Sequence, residues 1–155
     1  MSQPKRPILE PGTKIDTFEI VENIGSGGYG DIYSAKDSLS NEIFAMKIEF
    51  SNAPQKFLKM ETLAMKCIQG TNYFPKLIAY GKTSNLRYLV MELLGPSISK
   101  MRRSLPYKKY TSYSILRLSY EMLICIWEFH QRGLIHRDIK PGNFLIRSSR
   151  EYPLC

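Results

Sequence analysis

"HRDIKPGN", residues 136–143, is the stretch on which the reading of this chain turns. It puts a carboxylate at Asp138, a cation at Lys140 and a carboxamide at Asn143 on one short segment. Six fixed residue types in eight places, at about 5% usage each, arise by chance at roughly 10⁻⁸ per start position. The segment is a signature rather than an accident of composition.

Just before it, "SYSILRLSYEMLICIWEFHQRG" carries apolar residues at 115, 116, 122, 123, 126 and 129 and closes on Gly133. That spacing predicts a long, largely buried helix with a glycine cap, in which Trp127 is core filler and His130 a packed or hydrogen-bonded core histidine. The preceding "SISKMRRS" reads as a short basic helix, and "LLGPS" near residue 95 marks a change of character. Upstream of it the pattern is that of strands: "FEIVENI", "DIYSAK", "EIFAMKI", "KLIAY" and "LRYLVMEL", separated by polar or glycine-containing turns. Between the third and fourth, "QKFLKMETLAMKCIQG" has helical spacing and ends on Gly70. Residues 14–94 therefore read as five antiparallel strands with one main helix, and residues 95–155 as helical. Residues 1–13, with Pro4, Pro7 and Pro11, read as a flexible lead-in.

Composition bounds the rest. A chain of 155 residues with 43% hydrophobic and 12% aromatic content has enough apolar material for a core. The net charge of +8 suits partners bearing phosphates or carboxylates, yet charge alone speaks to solubility and association, and nucleic acid is not expected as a partner. The runs "MRRS" and "YKKY" read first as solvated faces. Cys67, Cys125 and Cys155 form no CxxC pair, which favours reduced thiols of a cytoplasmic or nuclear protein over a disulfide framework or zinc cluster. "MLICIW" is far too short to cross a bilayer, and no membrane association is expected.

Two further features carry chemistry. "GSGGYG", residues 25–30, sits between two strand patterns. Glycines let backbone N–H groups approach phosphate oxygens, and a strand–loop–strand setting suits a lid over a mononucleotide; a glycine hairpin without a ligand is the plain alternative. Lys47 lies in the apolar strand "FAMK", where a buried ammonium is costly without a counter-charge. Glu61, fourteen positions on in the predicted helix, is a candidate partner; both groups could instead face solvent.

At these residues the chain resembles the eukaryotic protein kinases, since "IGSGGYGDIY", "FAMK", "KMETLAMK" and "HRDIKPGN" occur in that family's order. Lys140 marks the serine/threonine form of the loop, and "IGSGGYGDIY", "VMELLGPS" and "HRDIKPGNFL" are similar to the casein kinase I group. The resemblance implies an α+β, protein-kinase-like fold, with a five-stranded antiparallel N-lobe over 14–94 and a helical C-lobe over 95–155 truncated after the catalytic loop. It implies ATP and Mg²⁺ as cofactors and transfer of the γ-phosphate to Ser/Thr hydroxyls of protein substrates. In that template Gly25, Gly27 and Gly30 cover the phosphates, and Lys47, paired to Glu61, holds them. Ile24, Ile32, Ala45 and Leu145 enclose the adenine, Met91 is the gatekeeper, and the backbone from Glu92 to Leu94 meets the base edge. Asp138 orients the attacking hydroxyl and accepts its proton, Lys140 stabilises charge on the phosphoryl group, and Asn143 holds one Mg²⁺. His136 and Arg137 are scaffolding.

The template also includes an Asp-Phe-Gly whose Asp holds a metal, and none occurs in these 155 residues. The resemblance then implies a chain inactive by itself. A nucleotide-binding or protein-interaction module is one alternative role, and a basic interaction protein is another. The long helix should also expose a far face that includes Leu116 and Leu123.

Overall fold

The computed structural model describes residues 7–27, 30–53, 56–147 and 154–155. They form two compact units, one of residues up to Met65 with Lys76–Leu93, the other of Lys66–Pro75 with Leu94–Cys155.

The first unit is built on an antiparallel sheet of six strands: β1 Lys14–Ile15, β2 Phe18–Gly27, β3 Gly30–Asp37, β4 Ile43–Phe50, β5 Leu77–Lys82 and β6 Leu86–Glu92. Their order across the sheet is β1-β2-β3-β4-β6-β5, so β4 is central. Alternation decides which side chains meet the core. Met46, Ile48 and Phe50 of β4 join Ile20, Tyr33, Ala35, Tyr88 and Val90 in one buried cluster, while the intervening Ala45, Lys47 and Glu49 fall on the opposite face. Helix α1, Leu58–Cys67, buries Leu58, Thr62 and Met65 at i, i+4 and i+7, one stripe of the helix.

The sheet has one strand more than the five expected. Lys14–Ile15 pairs with Phe18–Glu19, because Asp16 adopts a left-handed turn (φ 51°) that folds the chain back on itself. Residues 9–13, read from the prolines as part of a flexible lead-in, are also tied to the sheet. Leu9 packs on the core and its N–H donates to the Tyr33 hydroxyl, and the Gly12 N–H donates to the Ile20 carbonyl. The first six residues of that lead-in lie outside the described residues.

In the second unit, α2 (Ile98–Ser104) is capped by Ser97, whose hydroxyl accepts from the Lys100 N–H. Helix α3 (Ser112–Gln131) is capped by Thr111 through the Ser114 N–H, and Gly133 follows its end at φ 71°. Arg132 donates to the carbonyls of Cys67 and Gln69, and Arg147 to those of Asn72 and Phe74, so two arginines hold the segment 66–75 in this unit.

The expectation that α3 is largely buried does not hold. Helix α3 carries apolar residues on more than one face, but the described residues cover a single stripe, where Leu118, Met122, Cys125 and Ile126 pack with Ile98, Phe144 and Leu154. The opposite stripe, Leu116, Tyr120, Leu123 and Trp127, is exposed, Leu116 at 72% and Leu123 at 64%. Trp127 is therefore not core filler, and His130 is exposed rather than packed in the core. The expectation for Leu116 and Leu123 themselves holds. Replacing both by glutamate removes apolar surface from water contact without touching a packed side chain. The variant is expected to lower dye binding and self-association, measured by ANS fluorescence and light scattering, while shifting unfolding stability by less than about 1 kcal/mol.

Candidate functional site

In the first unit the strand register gathers the expected nucleotide residues. Gly25 lies opposite Ile32, and Ile32 opposite Lys47, so three strands put glycine loop, apolar side chain and lysine in one row. A second row joins Ala45 to Met91 and Met91 to Leu77. Ile24, at the end of β2, is 41% exposed, whereas Ala45 is buried. Glu92 closes β6, with its N–H donating to the Lys76 carbonyl and its carboxylate accepting from the Lys76 N–H.

The glycine stretch is a hairpin in which Gly27 pairs with Gly30. Gly30 is required there twice over. Its φ of 128° disfavours any side chain, and a Cβ would stand 2.6 Å from the Ile48 carbonyl oxygen, a backbone atom that cannot move aside cheaply. At Gly27 a Cβ would meet nothing, so packing gives no reason for that glycine.

Lys47 does not face solvent. Its side chain is 13% exposed, and Nζ reaches both carboxylate oxygens of Glu61, at 2.7 Å and 2.5 Å. Two residues along the same face, buried Glu49 accepts the Leu58 N–H at 2.8 Å and so caps the start of α1. Glu49 is a positioning residue that the sequence reading missed. Its signal was an acid in an apolar strand, on the same pleat as Lys47.

In the second unit the loop of residues 136–143 gathers Asp138, Lys140 and Asn143. Lys140 Nζ lies 2.7 Å from Asp138 Oδ2, and Asn143 Nδ2 lies 3.1 Å from the same oxygen and 2.7 Å from the Asp138 carbonyl. Arg137 is held at φ 64°, a left-handed conformation that a side chain of its size adopts only under constraint. His136 packs its ring against Phe129, with centroids 5.5 Å apart, and its Nδ1 accepts the Asp138 N–H at 3.3 Å. Both residues shape the turn that presents Asp138. Leu145 sits in a separate short ladder between Ser97 and Cys155, and half-buried Leu94 precedes Gly95, whose N–H donates to Ile146.

The Lys140 hydrogen bond first, and that of Asn143 second, hold the Asp138 carboxyl below its ordinary 3.8. The group is ionised throughout the neutral range and acts as an acceptor. Because its folded pKa is depressed, its stabilising contribution is complete above the unfolded value and is lost as pH falls through the folded one.

Comparison with known proteins fits this geometry. Residues 18–155 match the protein kinase domain, and the chain belongs to that family. It is 35% identical over 129 residues to a probable serine/threonine-protein kinase of Dictyostelium discoideum, covering 83% of this chain and 26% of that protein. It is 31% identical over 140 residues to serine/threonine-protein kinase spe-6 of Caenorhabditis elegans, covering 90% of this chain and 37% of that protein. The chain thus spans between a quarter and two fifths of the length of these curated relatives. Proteins of the kinase family generally use ATP and Mg²⁺.

Replacing Lys140 by methionine removes a hydrogen bond to Asp138 and the positive charge beside it. Its carboxyl should then titrate at a higher pH, back toward 3.8, in a ¹³C NMR titration. An unchanged titration would mean that Lys140 does not set the ionisation of Asp138.

Proposed function

We propose that this chain carries the nucleotide-binding and phosphoryl-transfer residues of a serine/threonine kinase of the casein kinase I type, acting on protein hydroxyls in the cytoplasm or nucleus. The observation that carries the reading is the polar cluster at Asp138, where one carboxylate oxygen receives both Lys140 and Asn143. The group similarity rests on "VMELLGPS" and "HRDIKPGNFL".

Each unit contributes its own part. In the first, Lys47 is pre-oriented by Glu61 and offers its remaining donor capacity to phosphate oxygens, beside a hairpin whose glycines leave the backbone approachable. Ile32, Ala45 and Met91 offer an apolar wall of the kind a purine needs. In the second, Asp138 is a weak base at rest, so it first orients a Ser/Thr hydroxyl as an acceptor and takes the proton only as the oxygen bonds to phosphorus. Lys140, already beside Asp138, supplies a positive charge for the phosphoryl oxygens. Asn143 commits its NH₂ to Asp138, leaving its carbonyl oxygen as the atom suited to a hard cation such as Mg²⁺. Bound magnesium would neutralise charge on the phosphates. Among the described residues no group of three or more His, Cys, Asp or Glu side chains could hold a metal.

A second reading takes these 155 residues as a module that binds nucleotide and transfers phosphate poorly by itself. Titration with Mg·ATP and a γ-phosphate transfer assay on casein separate the two. Binding should be weakened at least tenfold by Lys47→Met and left within about twofold by Asp138→Asn, with little transfer. Substantial transfer that falls at least about a hundredfold in Asp138→Asn would establish the kinase reading for this chain alone. No ATP binding would overturn both.

A further inference from the structure

The first unit contains a second cationic feature, away from Lys47. A cavity of about 140 Å³ has Glu49, Lys56, Lys82, Thr83 and Arg87 in its lining. Small-molecule pockets usually enclose about 300–1,000 Å³, so this one is too small for a nucleotide and of a size for a single compact group.

Its walls break a rule that the sheet keeps elsewhere. Four described cross-strand pairs match charge against charge. Lys14 faces Glu19, Glu19 faces Lys36 and Glu49 faces Arg87, all of opposite sign. The fourth sets Lys82 directly against Arg87. Like charges in that position repel, and Lys56 adds a third cation to the same cavity. Glu49 is the one carboxylate in the lining, and it is committed to the Leu58 N–H, with Arg87 at 3.9 Å. Among the described residues neither Lys56 nor Lys82 has a carboxylate within 4.0 Å. Thr83 adds a directional donor. Its Oγ1 accepts from the N–H groups of Asn85 and Leu86, which leaves the hydroxyl proton to be given away.

We propose that this cavity is an anion site for a phosphate dianion, free or carried as a monoester, with Lys56, Lys82 and Arg87 neutralising the charge and Thr83 donating to one of its oxygens. A phosphoryl group fits better than a carboxylate because it presents three acceptor oxygens and close to two negative charges to three cations. The ligand is either a phosphorylated side chain of a protein or free phosphate. The site is independent of the nucleotide residues and does not rest on the chain being a kinase.

Calorimetric titration of the 155-residue chain at constant ionic strength tests it, with inorganic phosphate, a capped Ala-phosphoserine-Ala peptide and the corresponding glutamate peptide as probes. Saturable binding of at least one phosphorylated probe is expected, stronger than that of the glutamate peptide. It should weaken at least tenfold in Lys56→Gln/Lys82→Gln, a double variant that leaves the Glu49–Arg87 pair and the circular dichroism spectrum intact. Lys47→Met should change it less than twofold. Tighter binding of the phosphopeptide than of phosphate identifies a protein segment as the source, and equal binding identifies the free anion. Either result supports the site. Absence of saturable binding, equal affinity for the glutamate peptide, insensitivity to the double lysine variant, or loss in Lys47→Met would each overturn it.

Discussion

An ammonium group in the middle of a central strand is the constraint around which the first unit is arranged. Lys47 has apolar side chains above and below it in sequence, and strand alternation sends it to the face opposite the main core. Leaving it there without a counter-charge would cost several kcal/mol. Glu61 supplies the charge from α1, at 2.5 Å and 2.7 Å, and the pair therefore specifies which turn of the helix faces the sheet. Glu49 reinforces the choice from the same strand by capping the helix start. Two acids and one base, rather than apolar packing alone, define how α1 meets β4.

The second unit solves a different problem, which is to present a carboxylate on an exposed turn in one orientation. The turn is held from both sides. Arg137 accepts a left-handed backbone, His136 packs its ring at a tilt against Phe129 of α3, and Asn143 reaches back to both the carbonyl and the carboxylate of Asp138. The long helix provides the platform through Phe129 and through the stripe of Leu118, Met122, Cys125 and Ile126 that packs with Ile98, Phe144 and Leu154. Burial raises the Cys125 thiol to about 11, with the Glu121 carboxylate adding to the effect, so this cysteine is a packing group rather than a nucleophile.

Much of this was legible in the sequence because it depends on local period and local spacing. The five longer strands follow from alternation, and the loop at Asp138 follows from residues five apart. The Lys47–Glu61 pairing could be proposed but not decided, since fourteen residues of separation leave orientation open until helix and sheet are packed. The sixth strand escaped because two residues carry no period, and its cause is the left-handed Asp16. Helix α3 was misjudged for a related reason: an apolar residue count says how much surface seeks cover, not how much cover exists. Trp127 and His130, expected in a core, lie outside it.

At Gly30 the missing atom is itself a structural element. The nearest obstacle to a methyl group there is the carbonyl of Ile48, the residue next to Lys47 along β4. The glycine hairpin and the lysine strand therefore approach each other at a distance set by backbone alone, with no side chain acting as spacer. A side chain at this position would have to displace the Ile48 carbonyl, and with it the strand that carries Lys47. The first unit thus has a fixed gauge between hairpin and lysine strand, set by the absence of one carbon atom.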